Sequence, residues 1–198
     1  HFKFKYFKLI SNFKFKISNS PGFTITELMV VVAITSILTG IIAVNVGKIN
    51  SQLSFARVAH KFQQDVRTAQ SMSVTSTQFR DLQGGLHDVS GFGVFVDVAQ
   101  NKQYVVYADK TPGNQHYDQG DYIVQTVDFG ETDPGIIITQ MNNVDGATAS
   151  INFSPPLPSV TMTPNPAQGS IGVVFARQSD VLQTKTVSIN TAGLIEIQ

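Results

Sequence analysis

No cysteine occurs among the 198 residues, which excludes disulfides, thiolate catalysis and cysteine-ligated metal. The redox compartment stays open, because exported domains also fold without disulfides. Acid is missing from the start: residues 1–22 carry Lys3, Lys5, Lys8, Lys14 and Lys16 and no Asp or Glu. Charge of either sign is then missing from Leu28 to Val46, where Asn45 is the one strongly polar residue. Proline, the strongest helix breaker, does not occur between Phe23 and Ser76. The chain opens on His1 rather than Met, so a start further upstream is expected.

Charge is balanced only in total. The 14 basic and 14 acidic residues cancel, yet residues 1–22 hold five of the basic ones and none of the acidic ones. Nine against 14 remain beyond them, a net of −5. Phosphate neutralisation by Lys and Arg drives DNA binding, so an acidic remainder argues against that partner.

What is present is concentrated near the start. Leu28–Val46 is a 19-residue apolar run, about 28 Å long as a helix and close to the ~30 Å hydrocarbon core of a bilayer. It is too long for the apolar region of a secretory signal peptide, and no small-residue cleavage site follows it. A plain membrane anchor fits the length, and the positive-inside rule keeps the Lys-rich leader in the cytoplasm. An anchor alone does not explain Pro21-Gly22-Phe23, or the single carboxylate Glu27 at the head of the run.

Gly22-Phe23-Thr24-Ile25-Thr26-Glu27, running into Leu28-Met29-Val30-Val31-Val32-Ala33-Ile34, resembles the prepilin motif of type IV pilins and type II secretion pseudopilins. The resemblance implies cleavage between Gly22 and Phe23 by a membrane prepilin peptidase and methyltransferase, with N-methylation of Phe23. It implies retention of the apolar segment in the mature chain, and an assembly role for Glu27 against the amine of Phe23 on a neighbouring subunit. A buried carboxylate is tolerated only when paired, so such a pair would set axial register. Thr35, Ser36, Thr39 and Gly40 are small enough to let helices approach closely in membranes. Gly40 and Gly47 are where the helix is expected to bend or unwind.

Beyond Lys48 the pattern turns amphipathic. Ile49, Leu53, Ala56, Ala59, Phe62, Val66, Ala69 and Ser73 recur at spacings of three and four, predicting one helical face. The whole stretch from Phe23 to about Ser76 is therefore expected as one helix. Strand signals follow at 93–98, 104–108, 122–129, 135–139, 149–153, 171–176, 185–190 and 194–197. Ser154–Gln168 holds five prolines and is expected as a surface loop. The expected fold is α+β: a long N-terminal helix packed on an antiparallel β-sheet head. Its expected organisation is a leader (1–22), a membrane or filament-core half-helix (23–47), an amphipathic half-helix (48–80) and a globular head (81–198). The helix from Phe55 to Ser76 and the segments GFGVFV, QYVVYAD and TVSINTAGLIEIQ are similar to the minor pseudopilin H and fimbrial protein T branch.

Chemistry elsewhere is sparse. Asp109, Asn114, Asp118 and Asp121 offer oxygen ligands of the kind calcium takes, but their spacing is not that of an EF-hand, and Lys110 and His116 dilute the charge. A turn-rich loop is the plainer reading, and no cofactor is otherwise expected. His60, His87 and His116 lie in no nucleophile or metal motif, with His87-Asp88 read as part of a Gly-rich turn. Gly84-Gly85 and Gly91-Phe92-Gly93 lack the following helix that a phosphate loop needs. No enzyme is expected. The leading expectation is a minor pilin or pseudopilin, inserted in the inner membrane with an extracytoplasmic head, then assembled with other subunits into a pilus or pseudopilus. Alternatives are a minor pilin recognising DNA or a surface, and an unprocessed anchored exoprotein.

Overall fold

The computed structural model describes residues 22–75, 78–81, 83–155 and 159–198, with the backbone alone for 44–51. The chain divides into two units, His1–Val46 and Gly47–Gln198. Helix α1 (Ile25–Thr75) begins in the first and ends in the second. Its helical assignment runs unbroken through Gly40 and Gly47, so neither glycine unwinds it. It stops at Thr75, next to the end expected at about Ser76, and Gln78–Arg80 is strand β1.

In the first unit, Ile25–Ala43 is long and apolar enough to cross a membrane. Its few polar groups are satisfied within the helix. Thr35 and Ser36 donate to the Val32 carbonyl at 3.0 and 2.7 Å, and Thr39 donates to Thr35 at 2.7 Å. Hydroxyls bonded in this way enter hydrocarbon without leaving a donor unpaired.

The second unit is built on the C-terminal half of α1 and two antiparallel sheets. One sheet has the order β4 (Tyr122–Asp128), β3 (Gln103–Lys110), β2 (Leu86–Asp97), β6 (Thr148–Ser154), β7 (Ser159–Thr163), with β1 pairing the start of β2. The other has the order β10 (Ile195–Ile197), β9 (Asp180–Asn190), β8 (Ser170–Arg177), β5 (Ile136–Asn142). Every expected strand is present, but they form two sheets rather than one. The alternation of apolar residues says which face of a strand is buried and not which strand lies beside it. β7 is a correction: Ser-Val-Thr-Met-Thr pairs with β6 inside the stretch expected as a loop. Its position at the sheet edge accommodates the flanking prolines, since an edge strand needs donors on one side only. His87 and Asp88 are likewise in β2 and not in a turn.

Both sheets turn their apolar faces to one core. Phe92, Val94, Val96, Tyr104 and Val106 come from the first sheet, and Ile138, Ile171, Val173, Phe175, Val187 and Ile189 from the second. The helix closes that core with Phe55, Val58, Ala59, Phe62, Val66 and Ala69. Phe62 is the keystone, its ring 4.9 Å from that of Tyr104 in one sheet and 5.4 Å from that of Phe175 in the other. The expected stripe is thus right from Ala59 onwards and departs at Leu53, while Ile49 lies outside the residues whose side chains are described. Leu53 is exposed, while Phe55 and Val58 are buried, because Phe55, Val58, Ala59 and Phe62 are the set with i, i+3, i+4, i+7 spacing.

Two polar residues join this helical face, Asp65 and Ser73, and Ser73 donates to the Gln70 carbonyl at 3.0 Å. Asp65 is buried, accepting from the Tyr104 hydroxyl at 2.6 Å and from Lys61 Nζ at 2.5 and 2.7 Å. Burial, reinforced by the Asp65 acceptor, pushes the Tyr104 phenol far above its ordinary pKa. Nearby, Arg57 pairs with the buried Asp133 at 2.9 Å, tying α1 to the connection between β4 and β5.

Candidate functional site

Gly22, Phe23 and Thr24 precede the first turn of α1 and have no regular structure. All three are exposed, Phe23 to 89%. Among the described residues, nothing lies within 4 Å of where a Gly22 side chain would start. The Gly22–Phe23 bond therefore lies on exposed, irregular backbone.

Thr24 stops that open segment and starts the helix. Its carbonyl accepts from Leu28 N at 3.1 Å, its hydroxyl accepts from Glu27 N at 3.2 Å, and its own N–H donates to Glu27 Oε2 at 3.1 Å. These reciprocal bonds form a capping box between the N-cap residue and the third helical residue. The Thr24 hydroxyl also donates to Glu27 Oε2 at 3.1 Å. Glu27 is exposed and complements the positive end of the helix dipole. The T-x-x-E spacing was readable in the sequence, and Thr24 is the residue at this site that the motif-based reading passed over. Its consequence is geometric: the Gly22–Phe23 bond lies just outside, and Glu27 just inside, a defined helix start.

The acidic loop is held by hydrogen bonds among its own residues. Asp118 accepts from Gly120 N at 2.6 Å and from Asn114 Nδ2 at 2.7 Å. Asp121 accepts from Lys110 N and Asp118 N, both at 2.9 Å. Asp109 is buried beneath the loop and accepts from Gln115 N at 2.9 Å. The backbone N–H of Gly120 and the Asn114 amide hold the Asp118 carboxyl below its ordinary value, whereas burial raises that of Asp109. The four side chains surround a common hollow, but their oxygens are turned to donors of the loop itself. Among the described residues no group of three or more His, Cys, Asp or Glu is arranged to hold a metal ion.

The histidines fall apart. His60 is exposed on α1, and His116 bonds within its own loop to Asn114. His87 alone gathers polar partners, with Nε2 2.7 Å from Asp81 Oδ2 and Nδ1 3.2 Å from the Tyr122 hydroxyl. The His87 hydrogen bond, followed by that from Gly85 N–H, holds the Asp81 carboxyl below its ordinary value. This cluster fastens the segment after α1 onto β2 and β4. The sequence hid it because its members are up to 41 positions apart, with no spacing signature.

A family model described as the prokaryotic N-terminal methylation motif matches residues 17–43. The match spans Gly22, Phe23, the capping box and the apolar segment. It supports a type IV pilin-like family. The motif indicates a structural pilin-like subunit, implies processing by a prepilin peptidase and assembly with other pilin subunits, and with the apolar helix indicates membrane anchoring. No curated protein and no solved structure matches the chain.

Proposed function

We propose that the chain is a minor pilin or pseudopilin, a structural subunit of a type IV pilus or a type II secretion pseudopilus. The observation that carries this reading is the Gly22–Glu27 motif placed at the head of an apolar helix. The leader is cut between Gly22 and Phe23 and the new Phe23 amine is methylated. Before assembly the helix anchors the subunit in the inner membrane, with leader in the cytoplasm and head outside. In the filament, apolar helices bundle, and Glu27 exchanges its cap for the amine of a neighbour's Phe23. The resemblance of the segments GFGVFV and TVSINTAGLIEIQ supports a reading within the minor pseudopilin H and fimbrial protein T branch. Mass spectrometry of the mature N-terminus, with the cognate peptidase present, should find N-methylphenylalanine at residue 23. An intact leader would contradict the reading.

We also propose that the Asp109–Asp121 loop closes without calcium, on the strength of carboxylates that accept from the loop's own donors. Millimolar Ca²⁺ should leave the melting temperature of the full chain unchanged; a rise of several degrees would overturn this.

A further inference from the structure

On the outer face of the four-stranded sheet lies a groove of about 650 Å³. Gln140 and Asn142 of β5 line one side, and Thr186, Ser188 and Asn190 of β9 the other. Glu196 of β10 is the one ionisable side chain in the lining. Gly172 of β8 forms the floor. A Cβ there would stand 3.0 Å from Thr186 Cγ2 and 3.3 Å from Asn142 Cβ, so the two walls lean together over a residue without a side chain.

The rim is fixed by bonds internal to the chain. Asn190 Oδ1 accepts from Ala192 N at 3.0 Å and Leu194 N at 2.9 Å, which sets the turn that leads into β10. Gln140 Nε2 donates to Asn142 Oδ1 at 3.2 Å. By contrast, the side chains of Thr186, Ser188 and Glu196 have no hydrogen-bond partner among the described residues. A fixed frame therefore carries polar groups free to take up a ligand, which is the form of a preorganised site.

Its chemistry selects the ligand class. With no Lys, Arg or His in the lining, phosphate, sulfate and nucleic acid find no charge partner, and Glu196 repels them. One carboxylate is too few for a resident divalent cation. Amides and hydroxyls each both donate and accept, and a carboxylate accepts from two donors at once. That set matches adjacent hydroxyls of an uncharged sugar, each of which donates and accepts. Leu194 at the rim offers an apolar edge for the C–H face of a pyranose.

We propose that this groove binds a neutral carbohydrate. The site lies wholly within the head and does not depend on the filament reading. The test uses the full chain in lauryldimethylamine oxide micelles, a detergent without a sugar headgroup. Maltotetraose, cellotetraose, mannotetraose and chitotetraose are titrated by calorimetry, with oligogalacturonate and a polar tetrapeptide alongside. At least one neutral tetrasaccharide should bind with millimolar or tighter affinity. Ser188→Ala and Asn142→Ala should each weaken it roughly tenfold, the loss of a hydrogen bond or two, with the melting temperature unchanged. Thr186→Val supplies the same reading should either of those variants prove unstable. Absence of binding by every neutral sugar at about 10 mM, where even a weak site of a few kcal/mol would register, overturns the proposal. So does equal or tighter binding of oligogalacturonate or the peptide, or affinity untouched by the variants.

Discussion

Asp109 shows how one buried side chain sets a pH dependence. Its carboxyl lies among Tyr107, Asn152 and the loop backbone, with burial raising its pKa. A carboxyl raised on folding contributes stability that is fully present below its ordinary value and fades as pH climbs through the raised one. Asp81 and Asp118 have the opposite sign. Their pKa values are lowered by His87 and by Gly120 N–H respectively, so their contributions are present above the ordinary value and lost as pH falls through the lowered ones. Asp109→Asn keeps an acceptor for Gln115 N and removes the charge. Thermal melts should show it at least as stable as the parent at pH 7, by up to about 1 kcal/mol. The difference should shrink as pH falls towards 4. A variant destabilised at pH 7 would mean that Asp109 acts through its charge.

Helix α1 joins two kinds of environment in one element, and its residues change accordingly. The first stretch carries exposed Leu28, Val31, Ile34, Ile37, Leu38 and Ile41, an all-round apolar surface that needs lipid or other helices. The later stretch narrows to a stripe with Phe62 at its centre, touching both sheets. Phe62→Ala removes the one ring shared by helix and both sheets. Chemical denaturation of the full chain in detergent should show a loss of about 3–5 kcal/mol. A loss below about 1 kcal/mol would mean that the helix adds little to the head's stability. The stripe was legible from spacing, but its first members were not. Leu53 and Phe55 are both apolar, but only Phe55 shares the i, i+3, i+4, i+7 set with buried Val58, Ala59 and Phe62, a spacing that a stripe started from Ile49 passes over.

Taken whole, the protein has its N-terminal methylation motif at one end of the sequence and its folded core at the other. In the filament reading proposed above, Glu27 acts in assembly. Within one chain it caps its own helix, which makes it locally useful before any neighbour arrives. Glu27→Gln retains a side-chain oxygen for the Thr24 N–H and removes the charge. Processing should therefore continue, while filament yield falls by at least about tenfold, the equivalent of one charge-assisted contact. Sheared-filament immunoblots beside N-terminal mass spectrometry check both parts. Unchanged filament yield would remove Glu27 from assembly.

The processing motif, the anchor length and the continuous helix were all determined by sequence alone, because each rests on local rules. A Gly-Phe junction, a run of uncharged residues and an absence of proline have the same meaning whatever else the chain does. Strand positions were readable for the same reason, from alternation within a few residues. Four things waited for the tertiary structure: the split into two sheets, β7 between its prolines, the Asp65–Tyr104 bond, and the self-bonded acidic loop. The two-sheet split and the Asp65–Tyr104 bond join residues far apart in the chain. β7 and the loop bonds are local in sequence, but the folded sheet decides that β7 pairs with β6 and that Ser150 and Asn152 meet the loop. The groove over Gly172 belongs to that second group, since its wall residues on β5 and β9 lie 44 or more positions apart and only the sheet brings them together.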